Sequence, residues 1–149
     1  MRPMLLLAAA LVIGSGLATA AQDAAPSAPA ARLKAPHGAT VSILSPKDGA
    51  TVGQDVNVKF GVEGIALTPA GDPMPGSGHH HLLIDAKELP PLDAPIPNDA
   101  THKHYGKGQT EDTVRLTPGD HTLQLDFADA AHMQFDPPLV SKKIKVHVK

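Results

Sequence analysis

Apolar and polar residues alternate with a period of two along most of this chain, and no stretch carries a helical repeat. Val41 and Ile43 share one face of a first strand. Val56, Val58, Phe60 and Val62 form the apolar side of a second. In "GHHHLLID" (78–85), Leu82 and Ile84 point one way and Leu83 the other. Val114 and Leu116 mark a fourth strand. His121, Leu123, Leu125 and Phe127 share a face of the fifth. Ile144, Val146 and Val148 line the last, with Lys143, Lys145 and His147 opposite. Pro46, Asp48 and Gly49 punctuate the first turn, and Thr117-Pro118-Gly119-Asp120 has proline second and glycine third, as a type II turn requires. This pattern predicts an all-β fold: a single antiparallel β-sandwich, immunoglobulin-like, over residues 39–149. Two connections, 64–78 and 87–112, are long and rich in proline and glycine, and loops of that length in a small domain are commonly functional. Both flank the histidine strand, so they are expected to roof it.

The first residues read differently. Arg2 precedes an apolar run from Met4 to Ile13, and Ala18-Thr19-Ala20 is a small-x-small cleavage site. Residues 1–20 are therefore expected to be a secretory signal peptide, with a periplasmic or extracellular product. The run is too short to span a bilayer, and no later run is longer, so the domain is not expected to be membrane-embedded. Residues 21–38 are mostly Ala, Pro, Ser and Gln, a composition that buries too little to offset chain entropy, and read as a disordered tether. The chain has no cysteine, which excludes disulfides and a thioether-linked lipid anchor. Its net charge of −2 and lack of a basic patch argue against a nucleic-acid partner.

The candidate chemistry is imidazole. Six of the nine histidines fall at 79–81, 102–104 and 121. In extended chain, residues two apart point the same way, roughly 6.6 Å apart from the strand rise. His79 with His81, and His102 with His104, can therefore each converge on one ion, since a metal–nitrogen bond is only about 2 Å. His80 shares the parity of Leu82 and Ile84 and is expected to face the core or its rim. His121 ends an apolar face, and His132 lies in "ADAAHMQFDPP" beside Asp129. The candidate metal ligands are thus His79, His81, His102, His104, His121 and His132. Asp85, Asp129 and Asp136 are candidates to fix imidazole tautomers, or to ligate. Imidazole clusters suit copper or zinc, and no loop has the carboxylate pattern of a calcium site.

The motifs "GHHHLLID", "IPNDATHKHYGKGQTE", "PGDHTLQLDFAD" and "HMQFDPPLVSKKIKVHV" resemble an exported bacterial family known as domain of unknown function 4399, over residues 78–148. The resemblance implies a small exported domain without an assigned activity. It marks His79, His80, His81, Asp85, His102, His104, Gly106, Gln109, Thr110, His121, Asp129 and His132 as motif positions. Gln134 and Phe135 stand where relatives often carry a further histidine. His80, Asp85, Gln109, Thr110 and Asp129 are accordingly expected to support the ligands.

Three functions remain open on the sequence. The first is binding of copper or zinc through the clustered histidines. The second is a module for a small ligand or partner, in which His and Asp side chains hydrogen-bond to one another. The third is a copper- or zinc-dependent enzyme, for which no nucleophile or catalytic residue can be named.

Overall fold

A computed structural model describes residues 31–149. The signal segment expected over 1–20, and the first part of the tether expected over 21–38, lie outside the described residues. Ten strands and no helix occur among the described residues: β1 (Thr40–Ser45), β2 (Ala50–Val52), β3 (Asp55–Glu63), β4 (Ala66–Leu67), β5 (Ser77–Ile84), β6 (His102–His104), β7 (Glu111–Arg115), β8 (Gly119–Ala128), β9 (Gln134–Val140) and β10 (Ile144–Val148). No helix in this region is long and apolar enough to cross a membrane.

The strands form two sheets packed face to face as a β-sandwich. One sheet has the order β1-β3-β7. The other runs β2-β10-β8-β5-β4, with β6 also on β5 and β9 also on β8. The β2–β10 and β4–β5 pairs, short strands at the sheet edges, are parallel; the other pairs are antiparallel. The six strands expected from alternation are β1, β3, β5, β7, β8 and β10. Gly119 takes φ 126°, a conformation that disfavours side chains, at the third position of the expected turn into β8. That turn carries the chain from one sheet to the other.

Alternation explains what is buried between the sheets. Val56, Val58, Phe60 and Val114 from the smaller sheet meet Leu82, Leu123, Leu125, Phe127 and Val146 from the larger. Each such side chain contributes about 1.5–3 kcal/mol when fully buried. The two central strands pair in strict register: Ile84 with Leu123, Leu82 with Leu125 and His80 with Phe127 on the inner face. Leu83 with Gln124, His81 with Asp126 and His79 with Ala128 alternate with them on the outer face.

That outer face is also covered, and β5 is buried at all eight positions. The proline-rich segment 85–101 crosses it. Its Pro90 and Ile96 are buried, the Gln134 amide donates to the Pro90 carbonyl, and the Ile96 N–H donates to the His132 carbonyl. The roof expected from the long connections is thus present. Arg32 and Leu33, assigned to the tether by composition, lie along β9: Arg32 donates to the Phe135 carbonyl and pairs with Asp136, and the Leu33 carbonyl accepts from the Asp136 N–H. Leu33 and its basic neighbour break the Ala/Pro/Ser composition of the segment.

Candidate metal centre

His79 and His81 leave the outer face of β5 side by side, their ring centroids 4.9 Å apart. Neither exposes any surface. His80, between them, projects inward as its parity requires, against Phe60 and Phe127 at 5.3 and 5.0 Å. One strand therefore delivers two imidazoles to a site and a third to the core.

His104 comes from β6, directly opposite His81 in the ladder. Its ring lies 4.9 Å from that of His79 and 5.1 Å from that of His81. Gly106 closes over it: a Cβ there would meet His104 Cε1 at 2.3 Å and Nε2 at 2.7 Å. His132 comes from the tight turn after β8. Asp129 builds that turn, its Oδ1 accepting the N–H groups of Ala131 and Met133 and its carbonyl accepting that of His132. His132 is held at φ 64°, a left-handed conformation uncommon outside glycine. The cost of that conformation is of the size often met at binding and catalytic sites. Its ring stands 4.8 to 5.8 Å from the other three.

One nitrogen from each of His79, His81, His104 and His132 lies within 4.8 Å of the others. His104 Nε2 and His132 Nε2 are 3.2 Å apart. Two nitrogens on a tetrahedral ion, each bonded at about 2.0–2.1 Å, stand about 3.3 Å apart. The His104–His132 pair already has about that spacing. Two of the four rings are only half-buried, which leaves them room to adjust.

The electrostatics are unusual. Among the described residues, both ring nitrogens of His79, His80 and His81, both oxygens of Asp126, and Gln134 Oε1 are buried with no hydrogen-bond partner. Buried polar groups are nearly always paired, so such a group needs an explanation. Burial, with smaller contributions from the neighbouring imidazoles, pushes His79 down to about 4 and His81 lower still. Burial alone does the same to His80, to about 4. These rings are neutral at pH 7, the state that offers a lone pair to a metal.

Two expected ligands stand outside the cluster. His102 lies opposite Leu83, because antiparallel register aligns His104-x-His102 with His81-x-Leu83, so one of the pair reaches the site. Its Nδ1 is 2.9 Å from both Asp99 Oδ1 and Thr101 Oγ1. His121 is on the inner face of β8 at the far end: its Nδ1 pairs with Asp85 at 2.7 Å and its Nε2 with the Thr117 carbonyl at 2.8 Å. The Asp85 carboxylate raises its pKa. With both nitrogens engaged, it has no lone pair for a metal.

Of the expected supporting residues, Asp129 shapes the turn that carries His132. Asp85 instead ties β5 to β8 through His121 and the Thr122 N–H. Gln109 accepts from the Lys107 N–H, and the Thr110 carbonyl accepts from Phe60 N–H; both hold the loop into β7. His80 serves the core. Asp126 was not among the expected residues, yet it lies opposite His81 on the site's own face. A lone aspartate between Leu125 and Phe127, at the outward parity of β8, is the sequence signal for it.

A family model described as "Domain of unknown function (DUF4399)" matches residues 58–149. No curated protein and no solved structure matches the chain.

Proposed function

The chain belongs to the family of domains of unknown function 4399, and we propose that His79, His81, His104 and His132 in it bind one transition-metal ion, copper or zinc. The observation that carries this reading is the meeting of four imidazoles from three separate segments, two of them fully buried with no other partner for their nitrogens. A coordinated ion accounts for one nitrogen of each ring.

Donor chemistry supports the choice of ion. Four neutral nitrogens with no thiolate suit zinc and copper, and for a given nitrogen site copper(II) binds more tightly than zinc. The leader read in residues 1–20 supports a place outside the cytoplasm for this binding. Four protein donors also fill a tetrahedral shell, whereas catalytic zinc sites usually keep one position for water. This favours holding an ion over chemistry on it. The alternative of a purely hydrogen-bonded network draws support from the His121–Asp85 and His102–Asp99 pairs, which lie outside the cluster, and within it from the 3.2 Å His104–His132 contact. It leaves the four nitrogens of the buried His79 and His81 without a partner.

Native mass spectrometry of the full chain with zinc or copper(II) is expected to give one retained ion per chain, lost when His79 and His132 are both replaced by alanine. Failure of the wild type to retain an ion, or equal retention by the variant, would contradict the reading.

The close approach of Gly106 gives a second test. In Gly106→Ala the new methyl must push the His104 ring aside. Zinc affinity, measured by chelator competition, is expected to fall on the order of tenfold or more, as when support for a ligand is lost. Unchanged affinity would mean that His104 does not ligate from this position.

A further inference from the structure

Four neutral imidazoles leave the double charge of a divalent ion uncompensated, and a charge in a buried site needs a partner. We propose that Asp126 is that partner and the positioning residue of the site: its carboxylate accepts the ring N–H of His81 that faces away from the ion. The inference rests on the metal reading above and assigns to this site a residue outside the ligand set.

The argument is one of place and elimination. Asp126 and His81 are directly opposite in the β5–β8 ladder and so project from the same face; such pairs have Cβ atoms about 4.5–5.5 Å apart. Asp126 is fully buried and neither oxygen has a partner. Of the other donors near it on this face, His79 lies diagonally across, opposite Ala128 rather than Asp126, and the glutamine amides are committed. Gln124, two residues before it, gives its amide to the Ser141 carbonyl. Gln134, opposite Ala128, gives its amide to the Pro90 carbonyl. Val140, opposite Asp126 on the β9 side, has no polar side-chain atom. His81 retains two unpartnered nitrogens. When one of them binds an ion, the other must carry the proton, and the ladder sets the Asp126 carboxylate directly opposite it, whereas Gln134 Oε1, the other unpartnered acceptor, belongs to a residue beside Ala128, opposite His79. A histidine ligand braced in this way by a carboxylate has a fixed tautomer and ring orientation and is a stronger base toward the metal.

The test is a double-mutant cycle on the full chain with zinc as the probe, its affinity measured by chelator competition. Asp126→Asn keeps the shape and removes the charge. It is expected to weaken zinc binding 10- to 100-fold. In a His81→Ala background the same change is expected to cost less than about threefold, because the residue it acts through is gone. Long-range proton–nitrogen NMR of the zinc-loaded wild type, which needs no variant, is expected to show the His81 ring N–H shifted downfield by a carboxylate. Equal losses in both backgrounds, or a His81 N–H without that shift, would overturn the assignment. Zinc held by Asp126→Asn at wild-type affinity would overturn this inference alone. A wild-type chain that holds no zinc would overturn the metal site and this inference with it.

Discussion

Replacing His81 by leucine is expected to weaken metal binding sharply, leaving three of the four imidazoles, and, in the metal-free chain, to raise stability by about 1–3 kcal/mol. The second effect follows from the unpartnered state of the ring. His81 is fully buried, and neither nitrogen has a hydrogen bond. A buried polar group left unsatisfied costs about 1–3 kcal/mol, and an apolar side chain of similar size removes that cost. Most core substitutions destabilise, so a gain here would mark a residue kept for binding rather than for folding. His121 provides the contrast. Both its nitrogens are engaged, by Asp85 and by the Thr117 carbonyl. His121→Leu is expected to lower stability while leaving zinc affinity within about threefold of wild type, since its site is separate from the cluster. Chemical denaturation with and without zinc measures both. A His81→Leu chain less stable than wild type in the absence of metal would mean that the ring is held by interactions that the unpartnered nitrogens do not reveal.

The second large effect is thermal. An ion that binds only the folded chain stabilises it by about 4 kcal/mol at a free concentration a thousandfold above its Kd. For a domain of this size that is a rise in melting temperature on the order of 15 °C. The rise should shrink in acid, because protons compete for the imidazole lone pairs. Acid should weaken the metal-free fold as well. His79 and His80, lowered from 6.5 to about 4, stay neutral in the folded chain while they protonate in the unfolded chain, and His81 does so further. Their shared contribution is complete above pH 6.5 and is lost as pH falls from 6.5 to about 4. Asp126 opposes this. Burial raises it to about 7, so its protonation favours the folded chain as pH falls from 7 toward 4. His121, with its raised pKa, also favours the folded chain in acid, an advantage lost as pH rises through its folded value. Three buried imidazoles outweigh these two groups, and net stability is expected to drop across pH 6.5 to 4. Differential scanning calorimetry at several pH values, with zinc and with chelator, checks both statements. A melting temperature unchanged by zinc at neutral pH, or a metal-free chain as stable at pH 4.5 as at pH 7, would contradict them.

Much of this was legible along the chain because parity is a local property. The alternation around β3, β8 and β10 fixed which side chains meet between the sheets, and the same rule sent His79 and His81 one way and His80 the other. What the chain does not state locally is register. His102 and His104 are equivalent by spacing, and only the alignment of β6 on β5 decides that His104 reaches His81 while His102 falls beside Leu83. β9 carries Pro137 and Pro138, which cannot donate to a ladder and so read as loop; it survives as a strand at the margin of the sheet, with an irregular register against β8. His132 enters through a turn whose left-handed residue is not glycine, and Asp126 becomes significant only once its partner across the ladder is known.

The central claim is that four imidazoles, remote from one another in the chain, share one ion. X-ray absorption at the zinc edge of the loaded full chain tests it most directly. The account predicts a first shell of four nitrogens near 2.0 Å, with the outer-shell scattering of four imidazole rings. A shell dominated by oxygen, or containing no more than two imidazoles, would contradict it.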